Sequence, residues 1–156
     1  MISRAAGDRD DVEHLVDVAA ILVDGADSYV ERARDFPSSP LAGRITVSDD
    51  GQIFVPPDAA IDGFDNTCDP ADAAAAAARV RPTAAECLAT PAGAEPWRTV
   101  PSTYIVCERD RAVPPEMQRW MAERAGVVLT YDTHHSRFLS PRERFVDDLD
   151  RVALSR

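Results

Sequence analysis

Lysine is missing from this chain: all 17 basic residues are arginine, against 27 acidic residues and a net charge of −10. So acidic a balance excludes nucleic acid and anionic membrane surfaces as partners, because both repel negative charge. The absence of lysine, beside abundant Ala and Asp, reads as coding bias without functional content. Long hydrophobic runs are missing too. The most apolar stretch, around Val18 to Val23, is far too short to cross a bilayer. The opening Met1-Ile2-Ser3-Arg4-Ala5-Ala6-Gly7-Asp8 lacks the apolar core of a secretory signal. Cysteine is sparse. Cys68, Cys87 and Cys107 are odd in number, widely spaced and without CxxC or Cys/His zinc spacing, which points to reduced thiols. A cytoplasmic protein is expected. Glycine is scarce as well, and none of the seven builds a G-x-S-x-G turn.

What is present suffices for one domain with a real core: 156 residues, 45% of them hydrophobic. Residues 2–6 read as the tail of a helix that stops at Gly7. Residues 14–22 are mostly apolar and suit a buried strand, although Asp17 in its middle is costly unless paired or wet. From Gly25 to about Pro101 the character changes. Residues 29–34 predict a short helix before Pro37. Residues 45–48 and 52–55 predict a small hairpin, with Asp50-Gly51 in its turn. Asp69 and Pro70 open an Ala-rich helix expected to reach Arg81, and residues 83–88 predict another short helix.

The last third is the clearest. Residues 102–107 form a β-rich run, and Pro114 and Pro115 open a helix with Met117, Trp120, Met121 and Ala125 at helical spacing, closed by Gly126. Residues 127–131 predict a second strand. Ser140-Pro141-Arg142-Glu143 reads as a capping box for a final helix carrying Phe145, Val146, Leu149, Val152 and Ala153 on one face. Strand–helix–strand–helix of these lengths predicts parallel strands joined by a right-handed crossover.

Catalytic and ligand groups of open parallel sheets gather beyond the carboxyl ends of the strands. Asp110 follows one such strand and His135 follows the next. A carboxylate bonded to one imidazole nitrogen fixes the tautomer and frees the other nitrogen as a general base. An Asp after a strand also serves as a turn residue, and a loop His is also found merely solvated, so spacing alone leaves both readings open. Asp132, His134 and His135 argue poorly for a metal site, since adjacent histidines do not easily converge on one ion. No metal and no cofactor is expected.

Three segments carry a family resemblance: Tyr104-Ile105-Val106-Cys107-Glu108-Arg109-Asp110, then Pro115-Glu116-Met117-Gln118-Arg119-Trp120-Met121-Ala122, then His135-Ser136 with Phe138-Leu139. This part resembles the end of an α/β-hydrolase, in the branch of small esterases related to plant methylesterases and hydroxynitrile lyases. The resemblance implies that Asp110 is the acid and His135 the base of a Ser–His–Asp triad. It implies an α/β fold with about three parallel core strands and flanking helices. Residues 1–24 would hold the end of the nucleophile helix and the next strand, 25–96 a mostly helical cap, and 97–156 the βαβα core. Phe64 and Trp97, with Phe36, are candidates for lining an apolar substrate pocket, although each also suits core packing.

The departures are as informative. The family's G-x-S-x-G nucleophile elbow and His-Gly oxyanion loop do not occur in these 156 residues. Asp17 stands where the family has an apolar or aromatic residue, Arg137 where it has Pro, and His134 is additional. Ser136, placed for a loop turn, and Cys107, inside a strand, are poor substitutes for the nucleophile. The resemblance therefore implies the C-terminal portion of an esterase, inactive alone, that acts on a small ester once an N-terminal half completes it. The competing reading is a non-catalytic remnant or interaction module that self-associates, or pairs with a partner chain, through an exposed strand edge.

Overall fold

The computed structural model describes residues 2–139 and 142–154. Three strands form its central sheet: β1 (Leu15–Val18), β5 (Ser102–Cys107) and β6 (Val127–Tyr131), in the order β1-β5-β6. Both pairings are parallel, with Asp17 opposite Tyr104 and Tyr104 opposite Val128. The middle strand is buried throughout, as expected for a near-continuous apolar run flanked on both sides. Because alternate side chains share a face, Leu15, Tyr104 and Val106 point together into the main core. Met117 and Met121 of α6 (Pro115–Ala122) and Ala6 of α1 (Ile2–Ala6) close over them. Strands β5 and β6 keep the boundaries expected from sequence. The strand expected over residues 14–22 stops at Val18, because Ala19 turns the chain at φ 45°, left-handed backbone that a strand cannot continue through.

Between β1 and β5 the chain builds a run of helices and a second, small sheet. Helix α2 (Tyr29–Arg32) starts with a capping box, in which Ser28 Oγ accepts from Glu31 N and Glu31 accepts from Ser28 N. A 3-10 turn over Ala33–Asp35 carries it to Phe36. The expected hairpin forms from β2 (Thr46–Val47) and β3 (Gln52–Phe54), with Gly51 at φ 77° in the turn. Helix α3 (Pro57–Phe64) follows, then α4 (Pro70–Ala77), which Asp69 caps through Ala71 N at 2.9 Å. Helix α4 ends four residues before the expected Arg81. Thr83 and Ala84 do not begin a helix as expected. They form β4, the third strand beside β3, and α5 is confined to Glu86–Ala89.

Helix α7 (Arg142–Leu154) closes the described chain. The capping box expected at its start includes Ser140 and Pro141, which lie outside the described residues. Arg137, where the resemblance suggested Pro, is fully buried with its guanidinium 4.0 Å over the Tyr131 ring. None of the described helices is long and apolar enough to cross a membrane.

Candidate active site

The loop after β5 is shaped around the Asp110 carboxylate. Its Oδ1 accepts from the backbone N–H groups of Ala112 at 2.7 Å and Val113 at 2.9 Å, an Asx turn that aims the carboxylate back at the sheet. Its Oδ2 accepts from Gln118 Nε2 at 2.7 Å. Gln118 sits near the start of α6, fully buried, and is itself anchored twice more. Its Nε2 also donates to Val113 O at 2.8 Å, and its Oε1 accepts from Cys107 N at 2.9 Å. The Asp110 side chain thus has two backbone donors and one fixed side-chain donor before any base approaches it.

His135 supplies the fourth contact, from Nδ1 to Asp110 Oδ2 at 2.7 Å. A carboxylate accepts only, so Nδ1 carries the proton and Nε2 keeps a free lone pair. The acid side chain is fully buried whereas the imidazole remains 28% exposed. A buried carboxylate holding a reachable base is the geometry that general base catalysis uses. The two loops are locked together besides: Glu108 N donates to Tyr131 O, Arg109 N donates to Thr133 O, both at 2.9 Å, and Arg109 pairs with Asp132.

The last residue of α3 caps this pair. The Phe64 ring lies beside the His135 ring, centroids 5.3 Å apart and tilted 44°. The Phe64 carbonyl accepts from Ser136 N at 3.1 Å and from His134 Nδ1 at 2.9 Å. Arg111 of the acid loop reaches Asp62 of α3 at 2.5 Å, and Asn66 Nδ2 donates to Arg109 O at 3.2 Å, so the end of α3 and the loop after β5 are joined directly. Of the sequence-derived candidates, Asp110, His135 and Phe64 therefore meet at one place. Trp97 does not join them: it lies in the main core with Arg98 stacked over its ring. Phe36 packs on Trp120 at 5.4 Å. It lines a separate hollow of about 400 Å³ with Tyr29, Pro114 and Met117. The Tyr29 phenol there is pushed up by burial and, less, by the negative charge of Asp110.

The remaining polar candidates diverge. His134 is fully buried and turns toward Phe64 O and Cys68, while Asp132 pairs with Arg109. Burial pushes the Cys107 thiol up to about 12, so it stays protonated inside β5. Ser136 is buried in the loop, its backbone engaged by Phe64 O and Leu139 N. Sequence spacing gave Gln118 no role of its own; its place three residues into a proline-started helix, directly after a strand-end Asp, is the signal that identifies it.

Solved structures of low sequence identity share this fold. A pyrethroid hydrolase from Sphingobium faniae JZ-2 superposes with a TM-score of 0.78 at 18% identity, covering 97% of this chain and 65% of that one. Polyneuridine aldehyde esterase gives 0.75 at 19% identity, covering 92% and 63%. Tomato methylketone synthase I gives 0.75 at 16% identity, covering 97% and 66%. The chain thus spans about two thirds of the length of these relatives. No curated protein sequence matches it. The sequence pattern of the alpha/beta hydrolase family matches residues 1–148, so nearly the whole chain is accounted for. This protein belongs to the alpha/beta hydrolase family.

Proposed function

We propose that the chain supplies the acid and general base of a Ser–His–Asp esterase, and that the nucleophilic serine and oxyanion donors come from a complementary segment. The observation that carries this reading is the bond from His135 Nδ1 to a fully buried Asp110 that Gln118 and two backbone amides already hold. With Nδ1 bound, His135 Nε2 takes the proton of an incoming serine hydroxyl as that oxygen attacks the ester carbonyl. The carboxylate stabilises the imidazolium that results, and the same proton then goes to the departing alkoxide. Water repeats the cycle on the acyl-enzyme. Small esters with apolar groups are the expected substrates, since Phe64 flanks the base and the Tyr29/Phe36 hollow is lined by Pro114 at the end of the acid loop. Two of the structural relatives are named as an ester-cleaving enzyme and a pyrethroid hydrolase, which agrees with that class.

Alone, the 156 residues are expected to hydrolyse p-nitrophenyl acetate no faster than background, since nucleophile and oxyanion donors contribute most of the rate. The DNA upstream of the Met1 codon is the place to test this. A segment encoded there with G-x-S-x-G, co-expressed with this chain, should give turnover that His135→Ala abolishes. A correctly folded complex without turnover would overturn the proposal. The second reading, a non-catalytic self-associating module, draws on β1, which among the described residues is paired along one side only. It predicts a dimer by light scattering that is indifferent to His135→Ala and silent toward esters.

A further inference from the structure

Behind the His135 loop lies a second group of reactive side chains that the proposed acyl chemistry does not use. Asp65, Cys68 and His134 each offer one ligand atom, and these atoms lie within 4.8 Å of one another. They come from the turn that follows α3 and from the loop that follows β6. We propose that they form a site for a zinc-type divalent cation, binding through a carboxylate oxygen, a thiolate sulfur and an imidazole nitrogen.

His134 is prepared for this. Its Nδ1 donates to Phe64 O at 2.9 Å, which fixes the tautomer and leaves Nε2 with its lone pair 3.2 Å from Cys68 Sγ. A backbone carbonyl on the far nitrogen is the usual outer partner of a metal-binding histidine. With metal–sulfur near 2.3 Å and metal–nitrogen near 2.0 Å, tetrahedral ligands stand roughly 3.5 Å apart. The Cys68–His134 pair at 3.2 Å needs only a small opening, while Asp65 Oδ1, now 3.9 Å from Nδ1, must turn in toward the ion. A plain S–H···N hydrogen bond would account for Cys68 and His134 by themselves. It does not account for Asp65, which is 3% exposed and whose buried Oδ1 lies 3.9 Å from His134 Nδ1, beyond hydrogen-bond reach, and has no hydrogen-bond partner. A carboxylate left in that state costs free energy unless a cation compensates it. Carboxylate and thiolate together neutralise a dication. A mixed O, N, S donor set selects zinc over magnesium or calcium, which prefer all-oxygen shells. On binding, the Cys68 S–H bond breaks, the S–metal bond forms and the proton leaves to solvent. Water completes the coordination, as Cys68 is not fully enclosed.

Such an ion would fasten the cap to the residue directly before His135. The test uses the full chain, freed of metal with a chelator, then titrated with Zn²⁺ against a chromophoric competitor and separately with Co²⁺. A single equivalent should bind with micromolar or tighter affinity, and Co²⁺ should give a thiolate-to-metal charge-transfer band. Cys68→Ser should remove the band and weaken Zn²⁺ binding at least tenfold, whereas Cys87→Ser, at an exposed cysteine, should change neither. Asp65→Asn, neutral and isosteric, should weaken binding with the band retained. Absence of saturable binding, or a band that survives Cys68→Ser, would overturn the proposal.

Discussion

Asp17 offers the sharpest test of how this sheet is held together. It sits inside β1 opposite Tyr104, 2% exposed, with Oδ1 buried and without a hydrogen-bond partner. Burial raises its carboxyl from 3.8 to about 6. The folded chain therefore holds this proton more tightly than the unfolded chain does. The contribution to stability is complete below the unfolded value and is lost as pH rises through about 6. A separation of about two pH units, at about 1.4 kcal/mol each, is about 3 kcal/mol, and local relaxation lowers the expected effect to about 2 kcal/mol. Asp17→Asn removes the charge and keeps the shape. It should raise the unfolding free energy by about 2 kcal/mol at pH 8 and by almost nothing near pH 4. Urea titration followed by fluorescence of Trp97 and Trp120 at several pH values measures this directly, and taking the variant against the parent cancels all other carboxylates. A variant no more stable than the parent at pH 8, or equally favoured at both ends, would refute the reasoning.

Other outcomes follow from the same contacts. Gln118→Ala strips a donor from Asp110 and an acceptor from Cys107 N in a buried setting, and should lower stability by about 2–3 kcal/mol in denaturant titrations. In a catalytically complete complex, Asp110→Asn should reduce kcat by about three to four orders of magnitude, since the amide no longer enforces the Nδ1–H tautomer. A thiol reagent should label exposed Cys87 first and Cys68 more slowly, reaching Cys107 only on unfolding, as counted by intact mass. Ser28→Ala should cost about 1 kcal/mol in thermal unfolding by removing the cap of α2.

The parallel βαβα end and its two loop residues were legible because each signal is local: an apolar run, a proline at a helix start, a polar loop. Thr83 and Ala84 were not, because a two-residue strand exists only through its pairing with β3, far along the chain. Helix α3 also escaped notice, although Pro57 and Asp58 form a proper start. Gly63 and two alanines, Ala59 and Ala60, dilute its apolar stripe, and Leu41 packs closely over the glycine. Ala19 hid the end of β1, since nothing in an alanine announces a left-handed turn. At the site, Asp110 and His135 could be read as strand-end residues, yet Gln118's triple role depends on a fold around it.

The Phe64 carbonyl accepts from both neighbours of His135 in sequence, His134 through its side chain and Ser136 through its backbone. The final turn of α3 and the histidine are thereby coupled as one mechanical unit. Because Arg111–Asp62 and Asn66–Arg109 tie the same helix end to the acid loop, movement of α3 would pull on both loops that hold the acid–base pair. Backbone amide exchange at Ser136 would report on the α3 contact and on the integrity of the acid–base pair together.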